Sequence, residues 1–67
     1  MLVKELGAVL YGETKIELEY DHHCYFTGIA SMLSDCIFAE RTVREVYIGI
    51  DGETLIVSIG GIRKHKT

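Results

Sequence analysis

The sequence predicts an α+β fold in the order ββαββ, with two antiparallel hairpins forming one sheet and a single helix packed on one face. Three observations predict it. One strand-like run turns around Gly12 and Glu13, a second turns around Asp51 and Gly52, and only the stretch between them has a helical period.

In the first hairpin, a two-residue loop between Tyr11 and Thr14 sets Gly7, Val9 and Tyr11 on one face with Thr14, Ile16, Leu18 and Tyr20, and Tyr20 falls opposite Glu5. Lys15, Glu17 and Glu19 then point away from the core. Gly12 suits a type II′ turn, because a positive φ costs glycine nothing. The second hairpin has the stronger turn signal in Asp51 and Gly52. Its register pairs Ile48 with Leu55 and Val46 with Val57, and sets Val46, Ile48, Ile50, Leu55, Val57 and Ile59 on one face. A one-residue slip would scatter these six side chains over both faces.

Between the hairpins, Phe26, Ile29, Ala30, Leu33, Cys36 and Ile37 recur at spacings of three and four, the stripe of an amphipathic helix over residues 27–40. Thr27 or Asp21 would cap its start. Tyr25 and Phe26 beside Gly28 favour an extended entry to it. The strand order within the sheet is left open, 2-1-4-3 being one arrangement that fits the pattern.

Each hairpin also carries apolar residues on its second face: Leu6, Ala8 and Leu10 in the first, Tyr47 and Ile56 in the second. One helix covers only one side of a sheet, so a far side with this composition calls for cover by another subunit. Leu6, Leu10, Tyr47 and Ile56, together with the acidic stripe of Glu17 and Glu19, are the interface expected from the sequence.

A chain of 67 residues holds one small core, a size at which association often completes stability. Residues 1–62 are expected to form a single α+β domain and residues 63–67 a basic, flexible C-terminal tail. Hydrophobic residues make up 48% and charged residues 25%, with no proline, which places the chain among ordered globular proteins. No apolar run is long enough to span a bilayer, and Lys4 and Glu5 interrupt any secretory leader. Cys24 and Cys36 are too few for a secreted disulfide framework and fit reduced thiols in the cytoplasm.

The net charge of -3 is unevenly placed. Residues 1–62 carry four basic and ten acidic side chains, a balance of -6, while Arg63, Lys64 and Lys66 contribute +3. An acidic body argues against nucleic acid, whose phosphates need clustered lysine and arginine, and for a basic protein partner.

Asp21, His22, His23 and Cys24 form the densest cluster of chemically active side chains. The four letters match the signature of membrane palmitoyltransferases, but the chain has neither their membrane spans nor their further cysteines. As a metal site, His22, His23 and Cys24 supply suitable imidazole and thiolate ligands. Adjacent residues on an extended segment point to opposite sides, however, and the usual spacing between paired ligands is absent. Cysteine catalysis would need an oriented base and an oxyanion hole, which nothing else supplies. Neither enzymatic activity nor a cofactor is expected.

Gly60 and Gly61 follow the last strand, and with the ββαββ order and the Asp51, Gly52 and Glu53 turn they resemble the small ubiquitin-like sulfur carriers of the β-grasp fold. The resemblance implies a C-terminal glycine carboxylate that is adenylated and then converted to a thiocarboxylate. Six residues follow Gly61 here, so carrier chemistry would require processing after it. The leading expectation is a small cytosolic protein-interaction module, homo-oligomeric, acting through a surface and not an active site. One specific form is an acidic inhibitor from a phage or other mobile element. The alternatives are the processed carrier and a metal-binding regulator using His22, His23 and Cys24.

Overall fold

The computed structural model describes residues 1–60. They form an α+β fold with a four-stranded mixed sheet, in the chain order α1 (Val3–Val9), β1 (Lys15–Tyr20), β2 (His23–Ile29), a 3-10 helix η1 (Ala30–Asp35), β3 (Val43–Ile48) and β4 (Leu55–Ile59). The sheet order is β2-β1-β4-β3, with antiparallel β1/β2 and β3/β4 pairs joined through a parallel β1/β4 pair. The expected ββαββ order is therefore corrected at two elements.

The first correction is at the N-terminus, where residues read as a strand are helical. Two periods compete there: alternation through Gly7, Val9 and Tyr11, and helical spacing through Val3, Leu6 and Leu10. The helix wins because it buries the larger set. Val3 is fully buried and Leu6 nearly so, with Leu10 packed against the same core, while Val9 and Tyr11 are exposed. Leu6 and Leu10 thus belong to the core layer and not to the far face of a sheet. The Glu5 carboxylate accepts the Leu2 N–H at 2.7 Å. Val3 and Lys4 donate their otherwise unpaired N–H groups to the Arg41 and Ala39 carbonyls, each at 2.9 Å. The turn at Gly12 and Glu13 does form, closed by the Thr14 N–H to the Tyr11 carbonyl, but it joins α1 to β1. Gly12 has no positive φ, so the expected type II′ geometry is also corrected.

The second correction concerns residues 27–40. Its first part is strand β2, which pairs back on β1 through a two-residue loop of Asp21 and His22 at φ 52° and 65°. Positive φ at both loop residues is the type I′ geometry whose twist matches paired strands, and Asp and His are among the residues that tolerate it. The rest is the 3-10 helix η1 followed by separate turns. Hydrogen bonds run from Cys36 to Leu33, from Ala39 to Cys36 and from Arg41 to Phe38. Three residues per turn bring Ala30 and Leu33 onto one buried side of η1, which ends where Cys36 becomes extended, and Ile37 in the following turn is exposed.

The second hairpin has the expected register, Ile48 opposite Leu55 and Val46 opposite Val57. Its loop is tied by the Gly49 N–H to the Thr54 carbonyl and the Gly52 N–H to the Gly49 carbonyl, with Gly52 at φ 73°, and Ile50, expected on the core face, stands fully exposed in this loop instead. Ile16 and Leu18 of β1 and Val57 and Ile59 of β4 meet Val3, Leu6, Ala30 and Leu33 of the helical layer. Each buried valine, leucine or isoleucine among them contributes about 1.5–3 kcal/mol. That layer lies over the two central strands. On edge strand β3 the residues of the same face, Val46 and Ile48, stay 43% and 58% exposed. Among the described residues, no helix is long and apolar enough to cross a membrane.

Candidate protein-binding face

Side chains alternate across a sheet, so burying Ile16 and Leu18 under the helical layer turns Glu17 and Glu19 to the open face. The pairings then build a small grid. Glu17 lies beside Ile56 and Ile56 beside Tyr47; in the next row Glu19 lies beside Ser58 and Ser58 beside Glu45. Tyr47 reaches across β4, and its hydroxyl donates to the Glu19 carboxylate.

That hydrogen bond, then burial, then the charges of Glu19, Glu45 and Glu17, raise the Tyr47 hydroxyl above its ordinary value. The three glutamates thus converge on one phenol. Ile56 is the apolar floor, only 9% exposed although it faces away from the core, while Tyr47 is 45% exposed beside it. A shallow depression of about 330 Å³ lies over them, lined by Glu17, Glu19, Tyr47, Ile56 and the loop residues Ile50 and Asp51.

The loop wall is fixed by Asp51. One carboxylate oxygen accepts the N–H groups of Glu53 and Thr54 at 2.8 and 2.9 Å, and the other accepts the Thr54 hydroxyl at 2.7 Å. These donors, the Thr54 N–H foremost, lower the carboxyl to about 2, with Lys15 adding a smaller effect. Lys15 itself pairs with Glu53 at 3.2 Å. Among the described residues, neither Glu17 nor Glu45 has an ion-pair partner.

Of the six expected interface residues, Glu17, Glu19, Tyr47 and Ile56 come together here, whereas Leu6 and Leu10 lie under the opposite face of the sheet. Glu45 and Asp51 were not among the expected interface residues. Glu45 was legible by parity, two residues before Tyr47 on the same strand. The role of Asp51 was not, because turn propensity does not reveal which side chain locks the turn.

The His22, His23 and Cys24 cluster is dispersed. His22 occupies the hairpin loop and His23 begins β2 opposite Tyr20, while the Cys24 thiol lies 3.3 Å from the Thr27 hydroxyl and 3.5 Å from the Phe26 carbonyl. Among the described residues, no group of three or more His, Cys, Asp or Glu side chains is placed to hold a metal ion. Gly60 donates its N–H to the Thr42 carbonyl at 2.9 Å. Gly61 and the basic residues Arg63, Lys64 and Lys66 lie outside the described residues. No protein-family model, curated protein or solved structure matches the chain.

Proposed function

We propose that the chain is a small cytosolic protein-interaction module, self-associating, that binds a basic segment of another protein on its open sheet face. The observation that carries this reading is the row Glu17, Ile56, Tyr47 with Glu19 behind it. An arginine or lysine has an apolar stem and a charged head. The stem lies along Ile56 and the Tyr47 ring, and the head meets the carboxylates of Glu17 and Glu19. Tyr47 holds Glu19 in place beforehand, which lowers the ordering entropy lost on binding.

A surface that presents carboxylates at this spacing also suits an inhibitor that occupies a basic nucleic-acid-binding cleft. The test is fluorescence anisotropy with a labelled arginine- and lysine-rich peptide at low and physiological salt. The expected result is binding that weakens with salt and is lost in the Glu17→Lys, Glu19→Lys double variant. Equal binding of an uncharged control peptide, or full binding by the double variant, would overturn the reading.

A further inference from the structure

We infer that the open edge of β3 pairs antiparallel with the same edge of a second copy, on a two-fold axis through Tyr47, joining two four-stranded sheets into one. This rests on the self-association in the functional reading above and names its surface.

The two edges of the sheet differ. On β2 the register shifts between Leu18 and Glu19, leaving Tyr25 as an extra residue that breaks the edge in mid-strand. The shift in β3 falls near its start, between Val43 and Glu45. There the edge is already covered, because Leu2 bridges Thr42 and the Val43 N–H donates to the Met1 carbonyl at 2.8 Å. Among the described residues, nothing covers residues 45–48, and their pairing with β4 runs without a further register shift. The Gly49 N–H bonds the Thr54 carbonyl, so by alternation Tyr47 turns its peptide groups to β4, and Val46 and Ile48 turn theirs outward. Their side chains lie in the gap that the helical layer leaves. Neither proline nor lysine guards residues 43–50.

The register follows from what each choice brings together. With Glu45 on the axis, the two Glu45 carboxylates meet, and Ile48 of the partner subunit falls opposite Thr42, where Leu2 already sits. With Val46 on the axis, Gly49 of the partner subunit falls opposite Val43, whose N–H is already taken by the Met1 carbonyl. With Tyr47 on the axis, the carboxylates no longer meet, and the second strand turns away at Gly49 of the partner subunit before it reaches Leu2. Val46 then faces Ile48 of the partner subunit in two symmetric, hydrogen-bonded pairs, and Glu45 faces Gly49 of the partner subunit. A second copy satisfies both open edges at once, which a single extended peptide does not. The pairing also sets the two Tyr47 rings side by side, so the acidic depressions become one continuous face.

The experiment combines sedimentation and native mass spectrometry with amide hydrogen exchange on the full chain. In wild type, the Val46 and Ile48 amides exchange slowly at concentrations where the dimer forms and fast on dilution, while the Tyr47 amide is protected throughout. The Val46→Lys, Ile48→Lys double variant changes only side chains that are already exposed. Its dimer dissociation constant rises on the order of 100-fold, with unchanged far-UV circular dichroism. A dimer whose Val46 and Ile48 amides stay unprotected, or one that survives the double variant, overturns the edge pairing and leaves self-association standing. A wild-type monomer at every concentration overturns both. If its Val46 and Ile48 amides become protected only on adding a basic peptide, the edge serves a foreign strand instead.

Discussion

Gly7 of α1 lies directly against Leu33 of η1. A Cβ on Gly7 would stand 2.8 Å from the Leu33 Cβ and 2.9 Å from the Ala30 carbonyl oxygen. Neither atom belongs to a flexible side-chain end, so the two helical segments pack at this distance only because position 7 has no side chain.

Gly7→Ala sets intrinsic propensity against packing. Alanine is better in a helix interior by about 1 kcal/mol. Forcing an extra carbon into a filled contact costs about 1–3 kcal/mol. The expected outcome is net destabilisation of up to about 2 kcal/mol in urea denaturation. Gly12→Ala, whose nearest neighbour would be the Ser31 Cβ at 3.4 Å, is expected to be close to neutral. A stabilised Gly7→Ala would mean that the helical layer sits further from its neighbour.

Leu33 is fully buried between the sheet and α1. Leu33→Ala removes its contacts with both layers and is expected to destabilise by about 2–5 kcal/mol. In a domain this small, that loss takes most of the stability, so the variant should show a collapsed near-ultraviolet circular dichroism signal at room temperature.

Asp51 makes the second hairpin sensitive to acid. Its carboxyl is held at about 2, below the ordinary 3.8, by the N–H groups of Thr54 and Glu53. A depressed folded-state pKa contributes stability that is fully present above the unfolded value and is lost as pH falls from about 4 through about 2. Asp51→Asn should lower the urea midpoint at pH 7, and the difference from wild type should shrink as pH falls through that window. A constant difference across the window would show that the carboxylate charge is not what the donors hold.

Tyr47 is affected at the opposite end of the scale. Its raised pKa means that the hydrogen bond to Glu19 contributes below the ordinary 10.0 and is lost as pH rises through the higher folded value. Ultraviolet titration of the phenols should therefore show a late-ionising tyrosine. That component should disappear in Tyr47→Phe and move back toward the ordinary value in Glu19→Gln. A titration that is identical in wild type and Glu19→Gln would break the link between the two residues.

The sequence alone determined the parts whose cues are local. Alternation through Ile16, Leu18 and Tyr20 sends Glu17 and Glu19 outward, and the Asp51 and Gly52 turn sets Ile48 opposite Leu55 and brings Tyr47 beside Ile56. Those two local facts contain both halves of the candidate binding face. What joins the halves is the parallel pairing of β1 with β4, residues far apart in the chain, and no local signal specifies it.

Tertiary structure also chose between patterns that the sequence left in competition. Residues 3–10 fit a strand and a helix. The stretch after Phe26 carries apolar spacings of three and four, and the core took the versions that buried Val3, Leu6, Ala30 and Leu33 together. The physical reason is that periodicity reports which side chains share a face, while the free energy depends on what that face meets. For α1 the deciding neighbour was η1, whose close approach requires a glycine at position 7.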